Sequence, residues 1–108
     1  KKLWTKLNKK KFVATLEDLK NKNKKLYLVT NAHKKTLDIK LSKFTLNEYF
    51  NKIICSHELR YVKEDIQFWY ILRQHLNLDY KKSILIEDTI DNINSAYHAG
   101  LSQYILTV

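Results

Sequence analysis

The sequence has no proline, a single glycine (Gly100) and a single cysteine (Cys55) in 108 residues. One thiol cannot close an internal disulfide, which favours a reducing, cytoplasmic setting over a disulfide-stapled secreted scaffold. No apolar run approaches the roughly 20 residues that cross a bilayer, and there is no signal-peptide pattern, so no membrane association is expected. Arginine is scarce as well: Arg60 and Arg73 are the only two among 20 basic residues. The net charge of +9 would otherwise invite a nucleic-acid reading. Bidentate phosphate and base contacts favour Arg, however, and the lysines are spread along the chain apart from Lys9–Lys11 and Lys22–Lys25. With the many Asn and Ile residues, the charge reads as drift toward Lys, Asn and Ile on a solvated surface, and no nucleic-acid partner is expected. Repeats and low-complexity linkers are absent too, and the length allows one small domain at most.

What is present is enough for a core, since 44% of residues are hydrophobic and 12% aromatic, which argues against disorder. Phe12, Val13, Leu16 and Leu19 recur at helical spacing, so the pattern predicts an amphipathic helix over roughly Lys9–Lys20. Asn21 to Lys24 breaks it, with Asn suited to a left-handed cap. Leu26–Val29 is a short continuous apolar run, as expected of a strand buried on both faces of a parallel sheet, and it ends in Thr30-Asn31-Ala32-His33. A second helix follows with Leu37, Leu41 and Phe44 on one face. Leu46, Tyr49 and Phe50 lead to a strand at Ile53-Ile54-Cys55, and Ser56–Val62 reads as a loop. A third helix has Phe68, Trp69, Leu72 and Leu76 facing inward and Glu64 and Asp65 in its first turn. After a turn at Asn77–Lys82, a strand at Ser83–Ile86 runs into Glu87-Asp88. Thr89 can then cap a helix with Ile90, Ile93, Ala96 and Tyr97 inward and Gly100 past its end, and Tyr104-Ile105-Leu106 is a final strand.

This α-β-α-β-α-β-α-β alternation predicts an α/β fold, a three-layer αβα Rossmann-like arrangement on a parallel sheet. In such sheets the strand C-termini open on one edge, where sites are built. Thr30-Asn31, Lys63 and Glu87-Asp88 come to that edge from three successive elements. Adjacent residues on a strand face opposite sides, so Glu87 and Asp88 should diverge, one toward a cation and the other toward Lys63. Neighbouring carboxylates in a crevice need counter-charge, and Mg²⁺ supplies it to oxygen ligands. Thr30 offers a hydroxyl and Asn31 a backbone N–H at a helix start. Hydroxyl, ammonium, N–H groups and a carboxylate-held Mg²⁺ together suit a phosphoryl group. The bland readings are a strand-end Thr30, an N-cap Asn31, a surface Lys63 and two solvated acids; the order of the three sets is what lifts them together.

The chain resembles the haloacid dehalogenase superfamily of phosphohydrolases. Leu28-Val29-Thr30-Asn31 resembles the family's second motif and Lys63 stands at the lysine of the third. Ile84-Leu85-Ile86-Glu87-Asp88-Thr89, followed by Asn92, Ala96, Ala99 and Gly100, resembles the fourth. The likeness runs from about Phe12 to Val108. It implies Thr30, Asn31 and Lys63 as phosphate ligands, with Thr30 and Lys63 catalytic, and Asp88 and Glu87 as Mg²⁺ ligands, Glu87 alternatively holding Lys63. Thr30-Asn31-Ala32-His33, Lys63-Glu64-Asp65, Trp69 and Glu87-Asp88 resemble the GMP/IMP nucleotidase branch, which implies hydrolysis of purine nucleoside monophosphates. His33 and His57 receive no role.

The departures matter as much. No two aspartates stand two residues apart, so the family's Asp-x-Asp-Gly-Thr motif, which carries the nucleophile and the general acid/base, is absent. The cap inserted after that motif is absent with it. The proline beside the third-motif lysine is replaced by Val62 before it and Glu64 after it. The expectation is therefore a single partial core domain over residues 1–108 whose central first strand is missing, most simply the C-terminal part of a longer enzyme, and inactive by itself. Without that strand the Leu26–Val29 and Ser83–Ile86 strands would expose inner edges. The alternative is a non-catalytic α/β module that binds phosphate or nucleotides, or a receiver-like regulator. In receivers, though, the acidic pair precedes the Thr and Lys, and here it comes last. The expected partner is a small phosphorylated metabolite or nucleotide.

Overall fold

A computed structural model describes residues 2–4, 9–33, 35–36 and 47–107. The helix expected around Leu37, Leu41 and Phe44 lies outside these residues. The elements are β1 (Lys2–Trp4), α1 (Lys9–Asn21), β2 (Tyr27–Thr30), β3 (Lys52–Cys55), α2 (Ser56–Leu59), α3 (Ile66–Leu76), β4 (Leu85–Glu87), α4 (Ile90–His98) and β5 (Tyr104–Thr107). The chain divides into two compact units, one formed by residues 1–6 and 59–108 and the other by residues 7–58. Every strand pairing is parallel, as expected of a sheet with helical crossovers. Among the described residues, no helix is long and apolar enough to cross a membrane.

In the unit of residues 7–58, β2 and β3 pair from Tyr27 with Lys52 to Thr30 with Cys55. The entrance to the pair is held on both sides: the Leu26 N–H donates to Asn51 Oδ1 at 2.8 Å, and the Asn51 N–H donates to the Leu26 carbonyl at 2.7 Å. Cys55 is buried with Leu28 and Ile53 packed against it, and β2 itself is half-buried along its length rather than covered on both faces. The lone cysteine is thus a small core residue. Leu16 of α1 is buried as the spacing predicts, and Asn23 takes the left-handed conformation (φ 60°) beyond the helix end.

In the other unit, β5 lies between β1 and β4. The core is built from Phe68, Trp69 and Leu72 of α3, Leu85 of β4 and Ile93 and Ala96 of α4, together with Tyr80, Ala99 and Leu101. Phe68 and Trp69 meet edge to face at 5.1 Å, a geometry that aligns ring edge with ring face. Asp65 lies before α3, not in its first turn, and caps it by accepting the Gln67 N–H at 2.9 Å. Asn77 closes the same helix at φ 52°. Gly100, at φ 110°, follows α4, where a residue with a Cβ would be strained.

Two further expectations need correction. Ser56–Leu59 is a helical turn, not loop. The five described strands form two sheets, of three and two strands, and β2 and β4 do not pair with each other, as expected of an incomplete sheet whose two apolar strands keep their inner edges. Among the described residues no strand covers the second edge of either, in keeping with a sheet that lacks its central member. Finally, α4 does not bury all four apolar positions: Ile93 and Ala96 are buried, whereas Ile90 and Tyr97 are 60% and 52% exposed. Asn92 takes the buried place beside Ile93, for a reason that lies in Glu87.

Candidate functional site

β4 alternates: Leu85 and Glu87 are buried and Ile86 is exposed. The period-2 geometry therefore turns Glu87 inward and Asp88 outward to solvent, the divergence expected of neighbours on a strand. A buried carboxylate needs partners for its lone pairs, about four in all. Glu87 has four donors. Lys63 Nζ at 2.8 Å and Asn92 Nδ2 at 3.2 Å share Oε1, and the backbone N–H groups of Asp88 at 2.9 Å and Thr89 at 3.0 Å share Oε2. Burial pushes the Glu87 pKa upward, but the Lys63 and Asp88 hydrogen bonds, the Lys63 charge and the Thr89 N–H outweigh it and hold the carboxyl below its ordinary range. Glu87 is thus an anion whose coordination is complete within the protein.

This arrangement explains Asn92. The residue is buried because its amide supplies the fourth donor, and its Oδ1 is left buried with no partner among the described residues. It also explains Thr89, which stands at the N-cap of α4 without a side-chain capping bond. Its N–H serves Glu87 and its hydroxyl donates to Asp88 Oδ1 at 3.2 Å.

Lys63 is held at both ends. Its ammonium pairs with Glu87 in a setting where the two side chains are only 14% and 6% exposed. Its carbonyl accepts the Trp69 indole N–H at 2.8 Å, the Asp65 N–H donates to the Val62 carbonyl, and the Ser95 hydroxyl donates to the Glu64 carbonyl. These bonds fix a lysine loop that has no proline to stiffen it. A groove of about 550 Å³ lies in the same unit, walled by Val62, Asp65, Ile66, Asn94 and His98 among others. Lys63, Glu87 and Asp88 are not among its walls.

In the unit of residues 7–58, Thr30 ends β2 half-buried, and its Oγ1 accepts the Ala32 N–H at 3.0 Å. The hydroxyl proton is left to donate, and the bond sets the turn that carries exposed Asn31. Two histidines without a sequence role come together here: the His33 and His57 rings stack, with centroids 5.4 Å apart and planes 16° from parallel.

The structure therefore brings Lys63 to Glu87 in one unit and places Thr30 and Asn31 at the end of β2 in the other. Sequence reasoning counted Asn92, which the structure makes a donor to Glu87, in the fourth-motif resemblance but gave it no role. It read Trp69 as an apolar helix residue, though an indole N–H in a core needs an acceptor.

Comparison with known proteins gives the same direction. The family model described as haloacid dehalogenase-like hydrolase matches residues 7–105. The GMP/IMP nucleotidase YrfG of Escherichia coli (strain K12) is 30% identical over 93 residues, covering 86% of this chain and 41% of its own length. A phosphorylated carbohydrates phosphatase of Thermotoga maritima is 25% identical over 88 residues, covering 82% of this chain and 41% of its own. A HAD-superfamily hydrolase from Ehrlichia chaffeensis superposes with a TM-score of 0.70 at 25% identity, over 89% of this chain and 50% of that one. The chain thus spans well under half the length of the two relatives matched in sequence.

Proposed function

The chain belongs to the haloacid dehalogenase-like hydrolases, and from that premise we propose that it carries the phosphate- and metal-binding part of a Mg²⁺-dependent phosphomonoester hydrolase. The observation that carries this reading is the Lys63–Glu87 pair at 2.8 Å. A half-buried ammonium held by a fully coordinated carboxylate is a fixed positive charge, preorganised for the oxygens of a phosphoryl group. In this reading Lys63 binds phosphate and neutralises charge that develops on it, Thr30 donates its hydroxyl to a phosphate oxygen, and Asn31 adds a backbone donor.

The two acids separate by role. Glu87 was a candidate both for the metal and for Lys63, and with four donors in place it has no lone pair to spare, so its part is to hold Lys63. Asp88 is exposed, and its Oδ1 accepts the Thr89 hydroxyl at 3.2 Å. A single available carboxylate fits Mg²⁺, which keeps several waters and takes one or two carboxylates beside substrate phosphate. When bound, the ion would add positive charge at the phosphoryl oxygens. The sequence holds no Asp-x-Asp, so these residues bind and polarise without supplying the family's nucleophile. The substrate class we propose is a purine nucleoside monophosphate, in line with the activity named for the 30%-identical relative.

Phosphate binding to the 108-residue protein, followed by ³¹P NMR, tests the reading. Saturable binding should be weakened by Thr30→Val and by Lys63→Met, with no turnover of GMP or p-nitrophenyl phosphate. Appreciable Mg²⁺-dependent turnover by the pure chain, lost in Asp88→Asn, would overturn the assignment of a binding half without a nucleophile.

A further inference from the structure

The stacked histidines have no part in the phosphate and metal set proposed above, and their position gives them a use. The register of the β2–β3 pair sets Thr30 opposite Cys55, so the C-terminal ends of the two strands lie side by side. His33 follows Thr30 by three residues, through the turn closed by the Ala32 N–H and Thr30 Oγ1. His57 follows Cys55 by two and lies in α2. The topology thus brings both imidazoles to the strand end that carries Thr30, although 24 positions separate them in sequence.

Two geometric facts limit what the pair can do. Both residues are exposed, so the stack adds little to the core. The rings are 16° from parallel and stacked, so the in-plane lone pairs of their nitrogens do not converge, and a shared transition metal would require at least one ring to turn. What two nearly parallel exposed rings do present is a flat aromatic face, the surface on which nucleobases stack.

We propose that His33 and His57 form a platform for the planar base of a nucleoside monophosphate whose phosphate is held at Thr30. The inference rests on the reading of Thr30 as a phosphate ligand and deepens it, because it assigns residues to the choice of leaving group. The two relatives matched in sequence are named for substrates that differ in this respect, nucleotides in one and phosphorylated carbohydrates in the other. A base platform would favour the first class. One stacked base changes affinity by about five-fold to 150-fold, enough to separate GMP from a sugar phosphate.

The test compares GMP, ribose 5-phosphate and inorganic phosphate as ligands of the whole chain by NMR titration, in the wild type, His33→Ala, His57→Ala and His57→Phe. GMP should bind about five-fold or more tighter than ribose 5-phosphate and shift the His33 and His57 ring proton signals upfield through its ring current. Either alanine variant should bring GMP down to the level of ribose 5-phosphate without changing phosphate binding, and His57→Phe, which keeps a flat ring, should preserve the preference. Equal affinity for GMP and ribose 5-phosphate, a preference untouched by both alanine variants, or its loss in His57→Phe would overturn the platform while leaving phosphate binding at Thr30 standing. Failure of all three ligands to bind would overturn both.

Discussion

Replacing Glu87 by Gln tests whether the carboxylate is the anchor of the Lys63 loop. The amide keeps one acceptor oxygen, enough for the backbone N–H groups of Asp88 and Thr89. Its NH₂ must then face Lys63 Nζ and Asn92 Nδ2, two donors that now meet a third. Lys63, only 14% exposed on its side chain, also loses its counter-charge. Removing one partner of a buried pair costs about 3–5 kcal/mol, and retention of the Oε2 half of the shell puts the expected loss near the bottom of that range, about 3 kcal/mol. Lys63→Met removes the charge that Glu87 needs and should cost a similar amount. In the double variant neither charge is stranded, so its cost should fall short of the sum by about 1–3 kcal/mol. Urea unfolding followed by the fluorescence of buried Trp69, whose indole bonds the Lys63 carbonyl, reads all four states of the cycle. A loss below about 0.5 kcal/mol for Glu87→Gln, or strict additivity in the double variant, would refute the anchoring role.

Two further outcomes follow from single positions. Gly100→Ala should cost about 1–2 kcal/mol through backbone strain alone, since φ is 110° and nothing lies within 4 Å of an added Cβ. Thermal unfolding would show this, and an unchanged midpoint would contradict it. Tyr80 is buried, and its hydroxyl donates to the Trp69 carbonyl at 2.5 Å. Burial pushes its phenol well above the ordinary value of about 10, against a smaller opposing effect of Arg73. The folded state therefore keeps the proton longer than the unfolded chain does. Stability is unaffected below about pH 10 and falls above it, as the unfolded state ionises first. Tyr80→Phe, less stable at neutral pH through the lost hydrogen bond, should show a shallower alkaline decline. Parallel declines from pH 9 to 11 in the two proteins would contradict the shift.

The alternation of elements was legible because it rests on local pattern. The apolar runs at Leu26–Val29 and Ile84–Ile86 announce strands, and helical spacing announces α1, α3 and α4. The capping residues Asn77 and Gly100 mark ends that backbone conformation alone demands. Strand β1 was missed because three residues give no usable period; pairing with β5 makes it a strand. The buried face of α4 was misread for a different cause. Hydrophobicity ranks Ile90 and Tyr97 as inward, but Glu87 needs a fourth donor, and the helix turns Asn92 toward it. Within the candidate site, strand alternation made the pairing of Lys63 with one of the two acids foreseeable and the family resemblance offered Glu87 for it, but whether Glu87 holds Lys63 or a metal stayed open. That depends on the Asp88 and Thr89 N–H groups, which sequence does not display. The His33–His57 stack was invisible for the same reason that long-range contacts generally are: only the β2–β3 register brings the two together.

The assignment of Asp88 to the metal and Glu87 to Lys63 is tested most directly by the Mg²⁺ dependence of phosphate binding, measured by calorimetry on the wild type and Asp88→Asn. Asp88 is exposed, so the variant should match the wild type in stability to within about 0.5 kcal/mol. Mg²⁺ should tighten phosphate binding to the wild type and leave Asp88→Asn unaffected, while phosphate without metal binds both equally. Equal enhancement by Mg²⁺ in the two proteins, or none in either, would contradict the metal-holding role of Asp88.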